Sequence, residues 1–203
     1  LVELFEKIEK ISSRTDMATL LVDFLERCDL EESQIVSYLI LGRIAPVFVD
    51  SDFNYSERSI LNVLSSYSGQ KLVDLRKKVG DIGDTVSIMS EKLALKGENL
   101  SITEVYTILW KIANTKGSGS IKAKDLIILE CIKRLTPLES KYFVRIVCGD
   151  LRVGLNAKSL LDVYSILLRG DKSAREILDH AYGVCPDSGY IASIVKRVKA
   201  GEG

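Results

Sequence analysis

The sequence predicts an all-α fold of roughly ten to twelve short helices. Three observations carry this. Apolar residues recur at i, i+3 and i+4 along most of the chain. Helix start and stop signals are dense. No segment shows the sustained alternation that a half-buried strand needs. In chain order, Leu4, Phe5, Ile8 and Ile11 form the first apolar face, and 12–16 read as the loop after it. The run 30–42 ends on a glycine, with 43–46 as its connection, and 58–65 continues the helical period up to Gly69.

The second half repeats this punctuation. Gly97 closes one run, and Ser101 with Glu104 opens the next as a capping box, serine accepting from the N3 amide and glutamate reaching back. Val105, Ile108, Leu109 and Ile112 follow on one face. Thr136 with Glu139 makes a second box. Pro137 stands at the first helical position, where its missing N–H costs nothing. Gly149 ends that helix, Asn156 can cap the next, and Leu160, Leu161, Tyr164 and Leu168 line it up to Gly170. Ser173 with Glu176 reads as a third box and Gly183 as a further C-terminal cap. Trp110 and Phe143 fall on apolar faces and read as core.

With 46% hydrophobic residues and three prolines, 203 residues can bury a substantial core as one domain. No apolar stretch approaches the ~18 residues of a membrane span. The start, LVELFEKIEK, is acidic and periodic, unlike a signal peptide. The chain opens at Leu1 and not at Met, as an excised part of a longer protein would. Cys28, Cys131, Cys148 and Cys185 show no CxxC spacing, and His180 is the single histidine, so neither a zinc site nor a His-based triad is expected. Reduced core thiols fit a cytoplasm or nucleus.

Three segments recur in order with a period near one hundred residues. ELFEKIEKI (3–11) resembles EVYTILWKI (104–112), LEESQIVSYLILG (30–42) resembles PLESKYFVRIVCG (137–149), and RSILNVLS (58–65) resembles KSLLDVYS (158–165). Amphipathicity explains the apolar positions but not the shared Glu-Ser, Gly and Ser-[Ile/Leu]-Leu-[Asn/Asp]-Val. The chain reads as a duplicated helical unit, about 1–98 and 99–200, whose equivalent loops are 12–16 with 113–120 and 43–46 with 150–156. Net charge is zero, but residues 1–60 hold twelve acids and six bases whereas 111–160 hold four acids and ten bases. The second copy is thus expected to carry most charge-driven binding.

Two loops have the composition of phosphate contacts. In TKGSGSIKAK (115–124), Gly117 and Gly119 permit close backbone approach, Ser118 and Ser120 offer hydroxyls, and Lys116, Lys122 and Lys124 supply charge at a helix N-terminus. The segment lacks the Gly-Lys-[Ser/Thr] ending of a P-loop and no strand precedes it. In CGDLRVGLNAKS (148–159), Gly149 and Gly154 bound a turn that offers Arg152 to a minor groove, with Lys158 beside it. Each loop alone also reads as an ordinary connection. Lys141 and Arg145, spaced i, i+4, read best as a solvated charged face.

Beyond composition, FEKIEKISSR (5–14), KKVGDIGD (77–84), IANTKGSGSIKAK (112–124), ESKYFVRIVCGDLRVGLNAKSLLD (139–162) and AYGVCPDSGYIASI (181–194) resemble, in order, the N-terminal DNA-binding domain of ATP-dependent DNA ligases of archaea and eukaryotes. The resemblance covers nearly the whole chain, and 139–162 is its most specific part. It implies an all-α domain of two pseudo-twofold-related halves that contacts the minor groove on both sides of a nick. It also implies which residues meet DNA: Gly117, Ser118, Gly119, Ser120 and Lys124 in one loop; Gly149, Arg152 and Gly154 in the other; and Ser13 and Arg14 in the equivalent loop of the first copy; Lys116 and Lys158 join them on charge and position alone. The implied partners are nicked duplex DNA, the parent ligase's adenylation and OB domains, and a sliding clamp. The implied role lies in replication, repair and recombination, in the cytoplasm of a prokaryote or the nucleus of a eukaryote.

The family's adenylated lysine lies in Lys-x-Asp-Gly, and the chain contains no Asp-Gly dipeptide. ATP and magnesium are therefore expected at the parent's catalytic core and no cofactor in this chain. The competing reading is an all-helical protein-interaction scaffold whose glycine loops only connect helices.

Overall fold

A computed structural model describes residues 1–202. Twelve α-helices account for the described fold, and no strand occurs among the described residues: α1 (Val2–Glu9), α2 (Arg14–Arg27), α3 (Leu30–Leu39), α4 (Glu57–Ser68), α5 (Leu72–Val79), α6 (Ile82–Lys92), α7 (Ile102–Asn114), α8 (Ser120–Lys133), α9 (Pro137–Val147), α10 (Ala157–Arg169), α11 (Arg175–Val184) and α12 (Ser188–Lys199). The all-α expectation holds. Six helices precede residue 98 and six follow it. From the second of each set onward their lengths match closely, 14 with 14 residues for α2 and α8 and 10 with 11 for α3 and α9.

The compact units do not coincide with the two sequence halves. One unit comprises Glu3–Asp50 and the chain from Arg152 onward; the other comprises Ser51–Leu151. Each unit therefore combines the first three helices of one half with the last three of the other. Within the first unit the most extensive helix pair is α3 with α12, and α2 also packs on α10. Within the second it is α6 with α9, and α4 also packs on α8.

Local chemistry explains most boundaries. Ser101 with Glu104 and Thr136 with Glu139 form the expected boxes, Glu104 and Glu139 each accepting from the cap amide at 2.7 Å. Asp29 with Glu32 forms a third, which a search limited to Ser and Thr passes over. Ser173 with Glu176 does not form a box. The Ser173 amide donates to the Asp171 carboxylate at 2.8 Å, and α11 starts two residues later with Ala174 as its cap. Gly69 and Gly170 terminate α4 and α10 with positive φ, but Gly183 lies within α11.

An Asp-x-Gly motif occurs at the start of the sixth helix of each half. In the second unit Asp81 caps α6 and accepts from Nε and Nη2 of Arg145 on α9, at 3.1 and 3.0 Å, with both residues buried. In the first unit Asp187 caps α12 and accepts from the Tyr38 hydroxyl of α3 at 2.7 Å. Gly83 and Gly189 sit two residues beyond each aspartate. A Cβ on Gly83 would meet Arg145 Nε at 2.6 Å, and one on Gly189 would run into the Tyr38 ring. Absence of a side chain is what lets these helix pairs close.

Candidate nucleic-acid interface

The segment 115–119 connects α7 to α8. Thr115 ends α7 and donates its hydroxyl to the Lys111 carbonyl at 2.6 Å. Gly117 and Gly119 adopt φ of 92° and 78°, in the region that favours glycine, and nothing lies within 4 Å of where their side chains would be. Lys116, Gly117, Ser118 and Gly119 are exposed, and Ser120 opens the helix. No side chain caps the amides of the first α8 turn. These amides and the helix dipole favour an anion.

The connection between α9 and α10 contains three left-handed residues, Gly149 at φ 71°, Arg152 at 61° and Gly154 at 67°. A left-handed arginine is disfavoured relative to glycine, and its neighbours hold it there. Leu151 and Val153 are buried while Arg152 between them is exposed. The loop is thus anchored by two apolar side chains and turns one arginine outward. Asn156 caps α10, accepting from the Ser159 amide at 2.9 Å, and Lys158 is exposed in the first turn.

Within the first unit, Arg14, Gly154 and Lys158 line one cleft of about 350 Å³, formed by the start of α2, the loop before α10, the face of α10 and the start of α11. Loop residues from both sequence halves therefore meet. Ser13 stands outside it, using its hydroxyl to accept from the Asp16 amide at 3.3 Å as the α2 cap. Two further cations, Lys172 and Arg175, line the cleft, each 2.8 Å from the Asp162 carboxylate. Burial opposes ionisation of Asp162, but its bonds to Lys172 and Arg175 outweigh this and hold its carboxyl below the ordinary aspartate value.

Three basic residues occupy other positions than composition implies. Lys124 is 2% exposed, and its ammonium donates to the Phe53 carbonyl within the second unit. Desolvation and the nearby Lys116 charge push its pKa down. It ties down the segment before α4 and does not face solvent, a correction to its reading as a phosphate contact. Tyr55, two residues on, donates to Asp125 of α8. Lys141 pairs with Asp84 at 3.0 Å, and Arg145 is buried on Asp81, so this i, i+4 pair is no solvated face. Acids of the first half thus neutralise part of the basic excess of 111–160.

The family model for the DNA ligase N terminus matches residues 1–165. The chain belongs to that family. It is 37% identical to a "Probable DNA ligase" of Persephonella marina over 96% of this chain and 34% of that protein. It is 34% identical to a "Probable DNA ligase" of Dictyoglomus turgidum, over 96% of the chain and 33% of the relative. A "DNA ligase" of Saccharolobus solfataricus is also 34% identical, over 96% and 35%. The chain spans about a third of the length of these relatives.

For a DNA ligase N-terminal region, the structure adds Lys172 and Arg175, which the sequence reading passed over. Their position on the cleft depends on the α10–α11 turn, and no local motif marks it. The one available signal was Asp162, ten and thirteen residues upstream, in the repeated Ser-[Ile/Leu]-Leu-[Asn/Asp]-Val segment where the first copy has Asn62. Among the described residues no group of three or more His, Cys, Asp or Glu could hold a metal ion. No helix among the described residues is long and apolar enough to cross a membrane.

Proposed function

We propose that this chain binds nicked duplex DNA without base specificity and holds the nick for the catalytic core of an ATP-dependent DNA ligase. The observation that carries the reading is the anchored Arg152 turn. An exposed arginine at φ 61° between two buried apolar residues, with left-handed glycines at 149 and 154, is a preformed projection of the kind a minor groove accepts. Phosphate contacts fall to the exposed 116–119 segment, to the α8 N-terminus and to Arg14 and Lys158. Sealing chemistry, with its ATP and magnesium, belongs to other parts of the parent enzyme, because this chain has no Lys-x-Asp-Gly lysine. Such a protein works beside the genome in replication, repair and recombination, with the adenylation and OB domains of the ligase as its partners. A sliding clamp is a further candidate partner.

Titration of nicked duplex over a range of salt tests this. With about four to five phosphates neutralised, the log–log slope is expected near −4. Arg152→Ala should weaken binding by about 1–3 kcal/mol. Gly154→Val should weaken it without changing charge, because a β-branched residue resists positive φ. Lys124→Ala should leave the slope unchanged, since its ammonium is buried. Parental affinity in both Arg152→Ala and Gly154→Val would reduce the loops to connectors.

A further inference from the structure

The cleft of the first unit holds more charge than the loops account for. Arg14 and Lys158 stand in the first turns of α2 and α10, and neither makes an ion pair among the described residues. Lys172 and Arg175 approach from the α10–α11 side. Their positions are set by Asp162, and Arg175 is also held by Asp179 at 3.0 Å. Four cations thus line about 350 Å³ of space against one lining carboxylate. That volume is at the lower end for small-molecule sites. Because ion pairs already fix two of the four cations, less side-chain freedom is lost when an anion arrives. The hydroxyl of Thr19 turns back to the Thr15 carbonyl at 3.1 Å, and that of Ser159 to Asn156 at 3.1 Å, so the polar wall is ordered too.

The corresponding place in the second unit is built differently. Ala18 lines the cleft at the fifth position of α2. The fifth position of α8 is Lys124, which is buried and bonds the Phe53 carbonyl. Beside it, Tyr55, also buried, donates to Asp125 of the same helix. At this helix position the second unit has a buried lysine, and the first has an alanine beside a cleft lined with cations.

We infer that the open cleft seats a backbone phosphate of duplex DNA, with Arg14, Lys158, Lys172 and Arg175 as its cationic wall. This rests on the DNA-binding reading and extends it from the loops to α11. A phosphodiester presents two charged oxygens at the end of a thin strand, which a narrow basic cleft accommodates and an arginine fork suits.

The test is a salt titration of nicked duplex with two variants. Lys172→Gln combined with Arg175→Gln should lower the log–log slope by about one and weaken binding on the order of tenfold at low salt. Thr15→Glu places a carboxylate in the cleft while leaving all four cations and the Asp162 pairs in place. A glutamate in the first turn of α2 favours the helix, so this variant should stay folded. It should weaken binding by a similar factor. Thr15→Glu binding like the parent overturns the inference whatever the double variant does, and the DNA reading then still stands on the loops. No salt-dependent binding by the parent chain would overturn both.

Discussion

The two units each cap a helix with the aspartate of an Asp-x-Gly motif, yet that aspartate meets a different partner in each. In the second unit, Asp81 meets the Arg145 guanidinium in the interior; in the first, Asp187 meets the Tyr38 hydroxyl. Both arrangements close a helix pair over a glycine, and both give the capping aspartate a partner on the facing helix. They differ in cost of failure. Removing one partner of a buried ion pair strands a charge, whereas removing a hydroxyl strands only a hydrogen bond. The same contrast recurs at the surface: an open cationic cleft in the first unit, and a lysine turned inward in the second. The fifth position of the helix is thus a small cleft-lining alanine in α2 and a buried lysine in α8.

The largest effect should separate the two aspartate partners. Arg145→Ala is expected to destabilise the fold by about 3–5 kcal/mol, because Asp81 is left charged and buried. Tyr38→Phe should cost only about 1 kcal/mol by loss of one hydrogen bond. Urea denaturation checks both, and equal costs would break the comparison. Next, Gly189→Ala should cost about 1–3 kcal/mol by overpacking against the Tyr38 ring, and the double variant Gly189→Ala with Tyr38→Ala should cost less than the sum. The smallest effect is one of pH. Asp162 has a folded-state pKa below its ordinary 3.8, so its contribution to stability is present above that value and is lost as pH falls through the lower, folded value. The stability gap between the parent and Asp162→Asn should therefore shrink as acid is added below about pH 3.8, measured by thermal melts.

The helical class was legible because apolar period and caps are local signals. Two of three proposed boxes form, and the third fails because Asp171 captures the Ser173 amide first. The composition of the units was not legible. Similar segments pair α1 with α7, α3 with α9 and α4 with α10 in sequence, but which half packs with which is a long-range choice, and α3 with α12 and α6 with α9 cross the halves. At the candidate interface, the left-handed glycines at 117, 119, 149 and 154 fit their residue type, whereas the left-handed Arg152 does not follow from its own, because arginine disfavours that region. Lys124 and Arg145 were misjudged for one shared reason. Linear charge counts treat every cation as exposed, while a lysine or arginine next to a suitably placed carbonyl or aspartate can be buried. Lys172 and Arg175 escaped notice because only the folded α10–α11 turn brings them to Arg14.

The central claim is that the duplex is met by the anchored loops and by the open cleft of the first unit. Backbone amide NMR during titration of the isotopically labelled chain with a nicked duplex tests it most directly. The account predicts shifts concentrated at 13–19, 116–120, 152–159 and 172–175, with Lys124 and Arg145 little affected beyond their neighbours. Shifts confined to the exposed apolar residues of α11 and α12, such as Ile177, Val184 and Ile194, with none at the loops, would contradict it.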